Sequence, residues 1–189
     1  MSALKPKLAV FKLASCDGCQ LQLLNLEEML LALAERVEIA YFPEATSRES
    51  PGPYDLVLVE GSVTTPRDAA RIRRIRDEAR TLVTIGACAT AGGIQWLRNT
   101  AEVEEGKRHV YPSPQWLDVL PTSTPVAAHV KVDHEIHGCP VNEAQVLRVL
   151  VRLLLGATPD LPAHSVCLDC KRRGHVCVLV TRGLTCLGP

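Results

Sequence analysis

The stretch KLAVFKLASCDGCQ, residues 7–20, sets the reading of the whole chain. Lys7 to Leu13 is a short apolar, β-prone run, and it stops at a cysteine pair spaced Cys-x-x-Cys, Cys16 and Cys19. Gln20 then opens a helical pattern that continues to Arg36, with Leu23, Leu26, Leu30, Leu33 and Val37 at spacings of three and four, an apolar stripe suited to packing on a sheet. Leu21, Leu24 and Leu31 form a second stripe facing elsewhere, which calls for cover by a loop, another segment or another chain.

Similar β-prone runs recur at Val37 to Phe42, Tyr54 to Val63, Leu82 to Ile85 and Val130 to Ile136. Their alternation with helical stretches predicts an α/β fold with a mostly parallel sheet. Thr65-Pro66-Arg67-Asp68 carries a capping residue, a proline in the first helical position and an acid three residues after the cap, so a helix should run from there to about Arg80. Its arginines, 67, 71, 73, 74 and 76, alternate with Asp68, Asp77 and Glu78 and read as a solvated face. A last helix, Val141 to Leu155, stops at Gly156 with Pro159 beyond. Between Asn99 and His129 four prolines break the rhythm, leaving an excursion with at most a short helix around Gln115 to Leu120. These patterns predict a main domain over residues 1–157 and a small, loop-rich cysteine module over 158–189.

In 189 residues, 21 Lys and Arg balance 21 Asp and Glu, so no basic footprint points to nucleic acid. The opening MSALKPKLAV has no signal-peptide apolar region, and no apolar run is long enough to cross a bilayer; a cytoplasmic location is expected. In that compartment disulfides are rare, and eight cysteines then point to metal.

Placed on the predicted strands, Cys16 and Cys19 follow the first, Cys88 the fourth and Cys139 the last, with Glu60 closing the third. All lie at strand carboxyl ends, the edge where open parallel sheets bind ligands. Gly18, Gly86, Gly92, Gly93 and Gly138 would let backbone approach a bulky inorganic group, and Pro140 stiffens the last loop. From residues alone three chemistries stay open for this quartet. An iron-sulfur cluster uses all four thiols; a thioredoxin-like dithiol explains Cys16 and Cys19 but not Cys88 and Cys139; zinc is the third. Cys167, Cys170, Cys177 and Cys186 form a second quartet that would give a core-poor tail its structure, with zinc and 4Fe-4S as rivals. Lys171, Arg172, Arg173 and His175 stand among them.

Ser15-Cys16-Asp17-Gly18-Cys19-Gln20, Val59-Glu60-Gly61-Ser62-Val63, Gly86-Ala87-Cys88-Ala89 and Gly138-Cys139-Pro140 occur in an order and spacing that resemble the small subunit of NiFe hydrogenases. The tail from Cys167 through Thr185-Cys186-Leu187-Gly188-Pro189 is similar as well, and the likeness is to the cytosolic NAD(P)-linked and sulfhydrogenase delta-subunit kind. It implies a flavodoxin-like domain that holds a proximal 4Fe-4S cluster through Cys16, Cys19, Cys88 and Cys139, with Gly18 and Gly86 beside it and Glu60 lining a subunit interface. It implies a second 4Fe-4S cluster on Cys167, Cys170, Cys177 and Cys186, a large subunit carrying the NiFe centre, and iron-sulfur and flavin subunits that react with NAD(P) or a similar acceptor. Hydrogen would be split on the large subunit, with no bond chemistry on this chain. Quinone-reductase relatives carry adjacent cysteines in the first motif, unlike the Cys-x-x-Cys here. Relatives of the hydrogenase kind continue beyond Leu-Gly-Pro to a third cluster, whereas this sequence ends at Pro189, so the relay past the proximal cluster stays open. The readings set against a hydrogenase subunit are a quinone-reductase-like iron-sulfur subunit of a membrane-associated complex, a zinc-stabilised non-redox interaction module and a thiol-disulfide oxidoreductase.

Overall fold

A computed structural model describes residues 5–161 and 164–186. Residues 1–4, where the targeting reading begins, and 187–189, which close the tail motif, lie outside the described residues. The chain divides into two compact units, Met1–Pro159 and Asp160–Pro189.

The first unit runs β1 (Lys7–Lys12), α1 (Gly18–Leu24), α2 (Glu28–Arg36), β2 (Glu38–Tyr41), β3 (Tyr54–Glu60), α3 (Pro66–Glu78), β4 (Ala79–Ile85), α4 (Gly86–Ala91), α5 (Val103–Val110), β5 (His134–Ile136) and α6 (Glu143–Leu154). The five strands form one sheet in the order β2-β1-β3-β4-β5, every neighbouring pair parallel. This is the flavodoxin-like α/β arrangement expected of the sequence. The order in which strands are added reverses between β1 and β3, so the carboxyl edge opens a crevice there. The central strands carry near-continuous apolar runs because helices cover both faces: Leu56 to Val59 and Leu82 to Ile85 are buried.

The α3 face of the sheet buries Phe11, Val57, Val59, Ile72, Ile75 and Leu82 in one cluster. The start of α3 is fixed by a full capping box, with the Thr65 hydroxyl accepting from Asp68 N and the Asp68 carboxylate accepting from Thr65 N. The arginine-rich face is only partly solvated. Arg71 donates to Lys12 O (3.0 Å) and Tyr41 Oη (3.2 Å), and Arg76 pairs with Asp133 at 2.6 Å.

Several expected boundaries move. The single helix over 20–36 is two, because Glu27 turns to φ 46° and the chain passes Leu26 and Glu27 through i→i+3 bonds before α2 starts. The break keeps Leu23, Leu26 and Leu33 all inward, while Leu21 and Leu31 of the second stripe are exposed. Ala79 to Thr81 pair with β3, so α3 ends at Glu78 and β4 begins earlier than the apolar run suggested. β5 shrinks to three residues, since Val130 is held in a turn by Val126 O. In the excursion no helix forms over 115–120 beyond a 3₁₀ turn at Pro114–Trp116; a 3₁₀ segment at Ile94–Thr100 and α5 carry it instead. α5 buries none of its residues, so it left no apolar period to read.

The second unit holds two short helices, α7 (Val166–Arg172) and α8 (Val178–Arg182). Among its described residues no cysteine is buried and neither helix has a buried residue. Among all described residues no helix is long and apolar enough to cross a membrane.

Candidate metal centre

After β1 the backbone stays tied to the neighbouring β3 loop: Leu13 N donates to Glu60 O at 2.7 Å, and Ala14 and Ser62 exchange backbone bonds. The chain then turns sharply at Asp17, which adopts φ 67°, a left-handed conformation uncommon outside glycine. Lys12 Nζ grips the Asp17 carboxylate at 2.5 Å and Gln20 Nε2 donates to it at 3.3 Å. The turn sends Cys16 outward to solvent and Cys19 inward, 6% exposed. The first backbone N–H groups of a helix lack partners of their own. Cys19 N is satisfied by Glu60 Oε1 at 3.1 Å, which locks the start of α1 against the end of β3. Glu60 itself is 1% exposed, and its Oε2 has no partner among the described atoms.

The end of β4 meets the same spot. Gly86 has φ 82°, and a Cβ there would lie 2.3 Å from Cys19 Sγ, so only glycine permits the approach. Ala87 N donates to Gly138 O at 2.7 Å, tying the Cys88 loop to the Cys139 loop. A Cβ on Gly18 would touch Cys16 Sγ at 3.5 Å and Pro140 Cβ at 3.6 Å, which brings the first and last loops together. Cys88 sits one turn into α4, backed by Gly93, with Gln95 within reach of its sulfur.

The electrostatics trace the same convergence. Burial pushes the Cys19 thiol up to about 11; the Val141 backbone pulls the other way, and Glu60, Cys88 and Cys139 add to the rise. Burial likewise raises Cys88, opposed by Gln95 and reinforced by Cys16, Cys139 and Glu60. Four thiols from three strand-end loops thus lie within one another's electrostatic reach. A dithiol role for Cys16 and Cys19 does not account for Cys88 and Cys139, which meet them at the same edge. Nor, among the described residues, do three or more His, Cys, Asp or Glu groups stand close enough to grip one metal ion. Four thiol donors on converging loops, beside glycines whose missing side chains leave room, are a donor set that an iron-sulfur cluster accepts. Binding metal requires the thiolate form, so the raised thiols of the metal-free chain would be deprotonated on loading.

In the second unit, Cys167 and Cys170 lie three residues apart on α7, Cys177 caps α8, and Cys186 follows α8. The described residues do not gather three of these thiols into a compact group. His164 contacts Asp169 of α7 at 3.0 Å.

Two site residues carried no readable signal in sequence, Asp17 as the turn and Val141 through its backbone, and a third, Gln95, left only an indirect one. Gly92 and Gly93 hinted at the last of these, since two glycines after Cys88 release the chain to fold Gln95 back.

Residues 16–153 match the family model described as NADH ubiquinone oxidoreductase, 20 Kd subunit. The sulfhydrogenase 2 subunit delta of Pyrococcus furiosus is 39% identical over 183 residues, covering 97% of this chain and 76% of that one. The NAD-reducing hydrogenase HoxS subunit delta of Cupriavidus necator is 29% identical, over 84% of this chain and 83% of that one. Among solved structures, an NAD+-reducing [NiFe]-hydrogenase in the H2-reduced state superposes with a TM-score of 0.77 at 31% identity, covering 84% of this chain and 96% of that chain. With a family model over most of its length and a hydrogenase delta subunit alike over nearly all of it, the chain belongs to the NADH ubiquinone oxidoreductase 20 kDa subunit family, as a hydrogenase small subunit.

Proposed function

We propose that this chain is the electron-transfer small subunit of a cytoplasmic NiFe hydrogenase, holding a proximal 4Fe-4S cluster on Cys16, Cys19, Cys88 and Cys139. The observation that carries the reading is the gathering of those four thiols, from three loops far apart in sequence, at the carboxyl edge of one sheet. A 4Fe-4S cluster, when bound, supplies reversible one-electron exchange. The chain's own residues fix how that exchange is used. Cys19 and Glu60 anchor the buried side, Gly86 and Gly93 keep side chains out of the space, and Cys16 and Cys139 face solvent. A partner docking on that open side would come within short electron-transfer range, and the partner expected there is the large subunit that carries the NiFe centre.

Residues 1–157 would then form the proximal-cluster domain and 158–189 a second 4Fe-4S segment on Cys167, Cys170, Cys177 and Cys186. Electrons would pass onward to iron-sulfur and flavin subunits that react with NAD(P) or a similar acceptor. The likeness to the NAD-reducing and sulfhydrogenase delta subunits supports that route over a quinone-reductase one, and the Cys-x-x-Cys spacing agrees.

The test is anaerobic co-expression with the large subunit, followed by iron and sulfide analysis and electron paramagnetic resonance (EPR) of the reduced protein. Two quartets should hold roughly eight irons. Cys88→Ser should abolish one cluster signal and hydrogen-dependent electron flow. Colourless, zinc-bearing protein, or a Cys88→Ser variant with intact electron flow, would overturn the reading.

A further inference from the structure

Gln95 links two of the loops that carry candidate cluster ligands. Its Nε2 donates to Ala14 O at 2.8 Å, two residues before Cys16, and its Oε1 accepts from the Cys88 thiol at 3.5 Å. The chain reaches this pose because Gly92 and Gly93 both take positive φ, 87° and 64°, and a Cβ at Gly93 would lie 2.5 Å from Cys88 Sγ and 2.6 Å from Gln95 Oε1. Gln95 is half-buried, and its side chain crosses 81 positions of sequence to reach Ala14.

That arrangement suits a thiol and not a ligating thiolate. A cluster-bound Cys88 has no S–H to donate, so Gln95 Oε1 would set one acceptor against another. The carboxamide carries two N–H donors, and Ala14 O already accepts from Ser62 N at 2.9 Å, so it does not depend on Gln95 for a partner. A turn of the amide that also draws it off Ala14 O can therefore direct an N–H to sulfur, leaving Ala14 O bonded to Ser62 N and Gln95 Oε1, on a half-buried side chain, open to water. We infer that Gln95 is a positioning residue which, in the loaded protein, donates a hydrogen bond to the Cys88 sulfur and thereby raises the reduction potential of the proximal cluster. This rests on the reading of Cys88 as a cluster ligand. Hydrogen bonds to cluster sulfur are one of the protein's levers on potential, since they stabilise the more negative, reduced state.

The experiment is an EPR-monitored redox titration of the complete complex, comparing the unaltered chain with Gln95→Met and Gln95→Glu, with iron content measured alongside. Methionine keeps the bulk and removes the donor; glutamate adds an acceptor charge at the same place. The midpoint should fall in Gln95→Met and fall further in Gln95→Glu, with iron unchanged. Midpoints equal to that of the unaltered chain at full iron content would overturn the role, and so would loss of the cluster in both variants, which would make Gln95 a loop tether only. Failure of the underlying reading looks different: the proximal signal of the unaltered complex would then persist in Cys88→Ser.

Discussion

Replacing Gly86 by alanine tests whether the carboxyl edge of β4 is packed directly against the Cys19 sulfur. Gly86 sits at φ 82°, where an L side chain costs about 1–2 kcal/mol. Its new Cβ would also lie 2.3 Å from Cys19 Sγ, with Gly138 O at 3.6 Å behind it, and relieving such overpacking costs about 1–3 kcal/mol. Together these come to about 2–5 kcal/mol, a large share of the ~5–15 kcal/mol that holds a domain folded. Two other glycines separate the contributions. Gly156 also has positive φ, 70°, but a Cβ added there would meet nothing within 4 Å, so Gly156→Ala should cost the conformational part alone, about 1–2 kcal/mol. Gly106 lies inside exposed α5 with nothing nearby, and Gly106→Ala should instead gain about 1 kcal/mol from helix propensity. Urea unfolding of the reduced, metal-free chain, followed by circular dichroism, reads all three. At a slope of about 2 kcal/mol per molar, Gly86→Ala should shift the midpoint down by about 1 M or more. If Gly86→Ala and Gly156→Ala lose the same stability, the close approach of β4 to Cys19 is refuted.

Other outcomes follow from single features. Thr65→Ala removes the capping box of α3 and should lower stability by about 1 kcal/mol, read as a denaturant midpoint, with the fold intact. The Cys19 thiol, raised from 9.0 to about 11, binds its proton more tightly folded than unfolded. Its contribution to stability is therefore complete below about pH 9 and is lost as pH climbs toward 11, and Cys88 acts in the same direction. A pH series of unfolding midpoints on the reduced metal-free chain checks this, and Cys19→Ala should flatten it. Anaerobic removal of iron should leave residues 7–154 resistant to limited proteolysis while exposing cuts between Ser165 and Cys186, because only the first of these stretches has a buried core.

The strands were legible because both faces of the sheet are covered, which writes a continuous apolar run into β3 and β4. The start of α3 was legible because a capping box is local chemistry: Thr65, Pro66 and Asp68 act within one turn. The placing of Cys16, Cys19, Cys88 and Cys139 at strand ends needed only strand positions and the edge rule for parallel sheets. What escaped depends on contacts made across the fold. The break between α1 and α2 is set by Glu27 at positive φ, and no residue type there announces it. α5 has no buried face, so periodicity had nothing to report. Gln95 is one polar residue in a proline- and glycine-broken stretch, and its meaning comes from partners at positions 14 and 88.

The two cysteine quartets stand in opposite relations to folding. The first is assembled by the sheet: its thiols come from three separate loops, held by backbone bonds such as Ala87 N to Gly138 O and Leu13 N to Glu60 O that need no metal. The fold itself thus brings the four sulfurs toward one edge, and on the proposed reading the free energy of loading would go into binding rather than into ordering the chain. The second lies within one short stretch, Cys167 to Cys186, on two short helices with no buried residue among those described. A segment that small cannot offset its conformational entropy through apolar burial, so on the proposed reading metal binding and folding would there be one equilibrium. Serine at Cys88 should accordingly spare the fold and remove a cofactor, whereas serine at Cys170 should remove a cofactor and the structure of its unit together.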